Sequence, residues 1–78
     1  MTSSIEQRVR QVMTLVFNLP DGAVGGDASI MQTPGWDSLG HANLMLAVEE
    51  EFEVTLSPDE VVDLQSLEDI VTFLEAKK

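Results

Sequence analysis

The feature that most constrains the fold is a stripe of mostly apolar side chains in the segment Ser38–Phe52. Its members recur every three or four residues, which places them on one side of an α-helix. They are His41, Leu44, Met45, Val48 and Phe52. Asp37 precedes the segment, and its carboxylate can accept N–H bonds from the first turn. The pattern therefore predicts a helix that Asp37 caps and that buries this stripe.

A second amphipathic segment lies near the N-terminus. Ser3 followed by Glu6 matches a capping box, and apolar residues then recur at helical spacing. These are Ile5, Val9, Val12, Met13 and Val16. We expect this helix to continue to Leu19, because the residue before a proline resists the α conformation.

Two shorter helices are predicted in the C-terminal third. Ser57 and Glu60 form another capping box with Pro58 at the first helical position, which indicates a helix over residues 58–64. Ser66 is the expected N-cap of the last helix. The core positions of that helix are Leu67, Ile70, Val71 and Leu74.

Residues 20–36 form a long connection with three turn signals at residues 20–22, 25–27 and 34–35. We expect Ile30 to fold inward and hold this loop against the core. The fold class predicted is all-α: a small antiparallel four-helix bundle with a long loop between helices 1 and 2 and a short third helix. The 78 residues suffice for one domain, residues 1–78.

Composition excludes several classes of site. The chain has no cysteine, so it has neither disulfides nor thiolate metal sites. That fits a reducing compartment, and we expect a cytoplasmic protein. No apolar run approaches the ~20 residues of a membrane span, and none resembles a secretory leader. The acidic residues near position 50 lack calcium-loop spacing, so they predict at most weak, nonspecific cation binding and no dedicated metal site.

Charge is strongly one-sided. The chain has fourteen acidic residues and four basic ones, and its formal net charge is −10. Such a surface repels phosphate backbones, so we expect no nucleic-acid partner. It attracts proteins with basic patches, although acidic residues also serve simply to keep a small domain in solution.

A second face of the Ser38–Phe52 helix is apolar at its start and acidic at its end. Its members are Leu39, Ala42, Leu46, Glu49, Glu50 and Glu53. An apolar patch rimmed by charge is typical of a docking surface. The alternative is that the two leucines cover a neighbouring helix or loop.

Catalysis by Ser38 is not supported by the spacing. Asp37 and Ser38 are adjacent, and His41 falls on the core stripe. Trp36 stands where a nucleophile elbow needs glycine. A lone histidine on such a stripe is more often packed or hydrogen-bonded than catalytic, so we expect no enzyme activity.

Residues 36–41 (WDSLGH), followed by residues 44–52 (LMLAVEEEF) and the SPDE start of the third helix, closely resemble the acyl carrier proteins. The resemblance covers essentially the whole chain. It implies that Ser38 carries 4′-phosphopantetheine, transferred from coenzyme A by a separate magnesium-dependent phosphopantetheinyl transferase. The terminal thiol of that group would hold acyl intermediates as thioesters, and the protein itself would catalyse nothing.

The resemblance also assigns roles to other residues. Asp37 and Leu39 would flank the modified serine. The exposed face, comprising Ala42, Leu46, Glu49, Glu50 and Glu53, would meet basic, partly apolar patches on acyl-loading, synthase or acyltransferase enzymes. Space between the helices would shelter the acyl chain, with Met13, Met45, Val48, Val62 and Ile70 as candidate lining residues.

Departures from the housekeeping fatty-acid carriers concern the early part of the second helix. Trp36 replaces a small residue, and Asn43 stands where an acid is frequent. A polyketide, modified-lipid or aminoacyl pathway is therefore favoured as much as fatty-acid synthesis. We expect a monomer whose partners act in trans. The alternative function is an acidic helical interaction or inhibitor module, in which Ser38 only starts a helix.

Overall fold

The computed structural model describes residues 4–20 and 22–77. Within these residues the chain forms four α-helices: α1 (Ser4–Val16), α2 (Ser38–Phe52), α3 (Pro58–Asp63) and α4 (Leu67–Lys77). The first helix packs against both α2 and α4. The predicted all-α architecture, with a long first connection and a short third helix, is confirmed. None of these described helices is both long and apolar enough to cross a membrane.

The first helix ends three residues before the predicted Leu19. Asn18 adopts a left-handed conformation with φ 54°. The backbone N–H of Leu19 then donates to the Thr14 carbonyl at 3.0 Å, which is the closing bond of a Schellman motif. The helix therefore stops at this cap rather than at Pro20. The predicted N-terminal capping serine, Ser3, lies outside the described residues.

The second helix has the predicted bounds, and Asp37 caps it. One carboxylate oxygen of Asp37 accepts the backbone N–H of Gly40 at 2.8 Å, which satisfies one of the donors that a helix start leaves open. At the other end, Glu53 takes a left-handed conformation and its N–H donates to the Glu49 carbonyl.

The third helix is defined by its capping box. The Ser57 hydroxyl accepts the Glu60 N–H at 3.2 Å, and the Glu60 carboxylate accepts the Ser57 N–H at 2.8 Å. The second of these bonds lowers the pKa of Glu60 below its ordinary value of 4.5, because it favours the charged form. The helix ends at Asp63, one residue earlier than predicted.

Ser66 caps the last helix, as predicted. Its hydroxyl accepts the Asp69 N–H at 3.0 Å.

The apolar stripes of α1, α2 and α4 meet in one core. The predicted stripe of α2 is confirmed, with its first four members buried and Phe52 partly buried. The fully or nearly buried apolar residues are Ile5, Val9, Val12, Met13, Val24, Ala28, Trp36, Leu44, Met45, Val48, Leu56, Leu64, Leu67, Ile70 and Leu74.

The long loop is part of that core rather than a cover over it. Ile30 is partly buried, and its N–H donates to the Gln65 carbonyl at 2.8 Å. The N–H of Leu67 returns a bond to the Ala28 carbonyl at 2.9 Å. The loop is therefore held beside the start of α4, as expected for Ile30, but its most deeply buried side chain is Trp36.

Candidate functional site

Ser38 is the first residue of α2 and is exposed. Asp37 before it and Leu39 after it are exposed as well. The start of a helix carries a partial positive charge and leaves N–H groups open, so an anionic group on the Ser38 hydroxyl would be stabilised there. The three residues therefore place Ser38 on a surface that an enzyme in solution can reach.

Two buried side chains flank this exposed triplet in sequence. Trp36 is 1% exposed and His41 is 8% exposed. The indole N–H of Trp36 donates to Nδ1 of His41 at 2.9 Å. The other ring nitrogen, Nε2, lies 2.7 Å from the Val61 carbonyl oxygen in α3. The two residues thus join the loop, α2 and α3 near the N-terminal end of α2.

These partners determine which ring nitrogen of His41 donates and which accepts. An indole N–H can only donate and a carbonyl can only accept. Nδ1 is therefore the acceptor in the bond from Trp36, and Nε2 is the donor in the bond to Val61. Because both nitrogens are engaged inside the protein, His41 does not serve as a base for Ser38. The interpretation of His41 as a packed, hydrogen-bonded residue is confirmed.

The loop before Ser38 lies directly on the first turn of α2. A Cβ atom at Gly40 would overlap the carbonyl oxygen of Gly35 and would lie 3.0 Å from its carbonyl carbon. Gly35 itself has φ 87°, a conformation that side chains rarely adopt. Two glycines therefore allow the close approach that brings Trp36 beside His41. The sequence does not predict this contact, because Gly35 and Gly40 are five residues apart and no single turn signal contains both.

The second face of α2 is exposed, as the docking hypothesis requires. Leu39 is 72% and Leu46 is 61% exposed, so neither leucine covers a neighbouring element. Ala42, Glu50 and Glu53 are also exposed. Glu49 differs from them, because it is partly buried and its carboxylate accepts the Leu56 N–H at 2.8 Å. Glu49 therefore holds the α2–α3 connection in addition to any role on this face.

Both arginines of α1 are engaged with acidic side chains. Arg8 pairs with Glu51 at 3.0 Å, and Arg10 pairs with Glu6 at 2.6 Å. The positive charge of α1 is thus directed at these two carboxylates and not at Glu50 or Glu53. The C-terminal end of α2, where Glu50 and Glu53 lie, consequently keeps its negative potential, which favours a basic partner.

One of the residues predicted to line an acyl-binding space does not face the interior. Met13, Met45, Val48 and Ile70 are buried, but Val62 is 63% exposed. In α3 it is Val61 that packs against the core. The assignment of Val62 is therefore wrong, because a six-residue helix contains too few turns for its apolar side to be determined by spacing.

Known proteins identify the class of site. Residues 7–74 match the family model described as "Phosphopantetheine attachment site". An acyl carrier protein of Solidesulfovibrio magneticus is 31% identical over 75 residues, covering 96% of each chain. An acyl carrier protein of Akkermansia muciniphila is 33% identical over 73 residues, covering 94% of this chain and 91% of the relative. The cofactor of this class is phosphopantetheine, and its members carry substrates rather than convert them. With this match over nearly its whole length and a helical fold that agrees with it, the chain belongs to the acyl carrier protein family.

Proposed function

We propose that Ser38 is the residue that carries 4′-phosphopantetheine. The observation that supports this most directly is the exposed serine at the first position of α2, within the matched residues 7–74. In the transfer, the Ser38 oxygen forms a phosphodiester with the phosphopantetheine phosphate. The pyrophosphate bond of coenzyme A breaks, and adenosine 3′,5′-bisphosphate leaves with the second phosphate of that bond as its 5′-phosphate. The proton of the Ser38 hydroxyl passes to a base of the transferase or to solvent.

The residues around Ser38 fit such a group. An alcohol is the chemistry that a phosphodiester requires, and the start of α2 favours the phosphate charge. The carboxylate of Asp37 opposes that charge, but one of its oxygens is held by the Gly40 N–H. When bound, the group supplies a thiol for thioester formation, and the chain supplies the anchor. Tethering raises the effective concentration of the cargo at each partner's active site.

The exposed face of α2 is proposed as the surface that partner enzymes contact. The family as a whole works with phosphopantetheinyl transferases and with synthases or acyltransferases. Here Leu39 and Leu46 supply apolar contact area, while Glu50 and Glu53 supply charge for a basic patch. Ala42 lies between the leucines, and Glu49 contributes charge only in part because it also binds the Leu56 N–H.

The cargo belongs to fatty-acid, polyketide or another acyl or aminoacyl chemistry, and a specialised pathway is supported at least as well as fatty-acid synthesis. The reason is the neutral start of α2, where Ala42 and Asn43 are both exposed and neither carries charge. A partner for such a surface needs less positive charge opposite the first turns of α2. The monomeric state and cytoplasmic location expected from the sequence remain predictions.

The test is intact-mass spectrometry after incubation with coenzyme A, magnesium and a broad-specificity phosphopantetheinyl transferase. We expect the parent to gain the mass of one phosphopantetheine group and Ser38→Ala to gain none. Ser57→Ala is the matched control, since Ser57 is another exposed serine at a helix start, and it should be modified like the parent. An unmodified parent, or a modified Ser38→Ala protein that is folded, would refute the assignment.

A further inference from the structure

We propose that His41 is a positioning residue for the modification of Ser38 and that it acts through its hydrogen bond to Trp36. The inference rests on the proposed attachment at Ser38. It concerns what holds the hydroxyl in place before the transferase arrives, which the family match does not address.

The hydrogen bond between Trp36 and His41 closes a short loop of chain that contains Ser38. Trp36 lies two positions before Ser38, and His41 lies three positions after it. Their side chains are joined at 2.9 Å on the buried side, while Asp37, Ser38 and Leu39 are exposed. A side-chain bond between the two ends of the segment thus limits the conformations that the three middle residues can adopt.

The Trp36 end of this loop is itself fixed. Its backbone N–H donates to the Thr33 carbonyl at 3.0 Å, and its carbonyl accepts the Met31 N–H at 2.6 Å. Its ring packs beside Phe17 of the α1 terminus, with centroids 5.9 Å apart. His41 lies in the first turns of α2 and is buried. The Trp36–His41 bond therefore ties a fixed point of the loop to a fixed point of the helix, with Ser38 between them.

The two bonds of His41 have different consequences. The Nδ1 bond to Trp36 restrains the segment that contains Ser38, whereas the Nε2–H bond to Val61 restrains α3. Transfer needs the hydroxyl oxygen aligned with the phosphorus of coenzyme A, and small misplacements of a reacting group are costly. Loss of the Trp36 bond should therefore slow the transfer step, while loss of the Val61 bond should affect stability alone.

Three substitutions at His41 separate these bonds. In asparagine, the side-chain oxygen is the same number of bonds from Cα as Nδ1, so His41→Asn keeps an acceptor for Trp36. In glutamine, the amide nitrogen is the same number of bonds from Cα as Nε2, so His41→Gln keeps a donor for Val61. His41→Leu keeps the volume and loses both bonds. All three remove the imidazole and provide controls for one another.

The experiment measures kcat and KM of a broad-specificity phosphopantetheinyl transferase on each protein, together with its thermal unfolding. We expect His41→Asn to be modified at nearly the parental kcat, and His41→Gln and His41→Leu to show a kcat lowered by roughly tenfold with KM little changed. Equal rates for the three variants would overturn the proposal, and so would rates that follow melting temperature irrespective of which bond is kept.

A measurement on the parent keeps the proposal testable if a variant does not fold. Nitrogen NMR should find His41 protonated at Nε2, and the Trp36 indole proton should exchange slowly with solvent. Protonation at Nδ1, or a rapidly exchanging indole proton, would overturn the proposal. Failure of the attachment assignment is distinguishable, because there the parent itself stays unmodified or Ser38→Ala is still modified.

Discussion

Gly40→Ala should destabilise the protein, although the same change in an ordinary helix is stabilising. Alanine normally gains about 1 kcal/mol over glycine inside a helix. At Gly40 the new methyl group would overlap the Gly35 carbonyl oxygen. That oxygen is backbone, so the overlap is relieved only if the loop moves away from α2.

The expected magnitude follows from what the loop loses when it moves. Overpacking typically costs about 1–3 kcal/mol. The added methyl would also lie 3.3 Å from the capping oxygen of Asp37, and a lost N-cap costs a further ~1 kcal/mol. Because the helix-propensity gain offsets only about 1 kcal/mol, we expect a net loss of about 2 kcal/mol. For a domain of this size that lowers Tm by roughly 8–16 °C.

The assay is thermal unfolding followed by far-UV circular dichroism, with Asn43→Ala as the matched control. Asn43 is exposed in the same helix, so its replacement should raise Tm by a few degrees through propensity alone. The packing of Gly40 on Gly35 would be refuted if Gly40→Ala raised Tm as the control does. The transferase should also modify Gly40→Ala more slowly, since the overlap displaces the segment that holds Ser38.

Three further changes test the core, the α3 cap and the exposed face. Val48→Asp should abolish cooperative unfolding, because Val48 is fully buried and an unpaired buried charge costs several kcal/mol against a total of about 5 kcal/mol; a sharp melting transition would contradict this. Glu60→Gln should lower Tm at about pH 7 and have little effect near about pH 3. The pKa of Glu60 is lower in the folded protein than in the unfolded chain, so its carboxylate stabilises the fold at a pH above the unfolded-state pKa. That stability is lost as the pH falls through the folded-state pKa. An equal Tm difference at both pH values would argue against the capping contribution. Leu46→Arg should keep the helical spectrum and raise the transferase KM by roughly tenfold if this residue is a contact hot spot; a collapsed spectrum would show that Leu46 belongs to the core.

Local signals were sufficient to predict α2. Its N-cap, its buried stripe and its two exposed leucines all lie within one continuous segment, so helical spacing alone separates the two faces. The capping boxes of the last two helices are local in the same way. The end of α1 was less predictable, because Pro20 shows where a helix cannot continue, whereas the left-handed Asn18 determines where it stops.

Contacts between a helix and the loop beside it could not be predicted from helical spacing. The bond from Trp36 to His41 depends on how the loop lies against α2, and the bond from Glu49 to Leu56 depends on the turn into α3. Local patterns assigned Trp36 to a motif, His41 to a core stripe and Glu49 to an exposed face. Each proved to have a second, tertiary role that only the folded chain reveals.

Locating the modification within the chain tests most directly whether Ser38 carries phosphopantetheine. The holo-protein would be digested, and the peptide containing residues 36–41 would be fragmented in a tandem mass spectrometer. The phosphopantetheine mass should be found on Ser38 and on no other hydroxyl residue. A modified peptide from any other part of the chain, with residues 36–41 unmodified, would contradict the account.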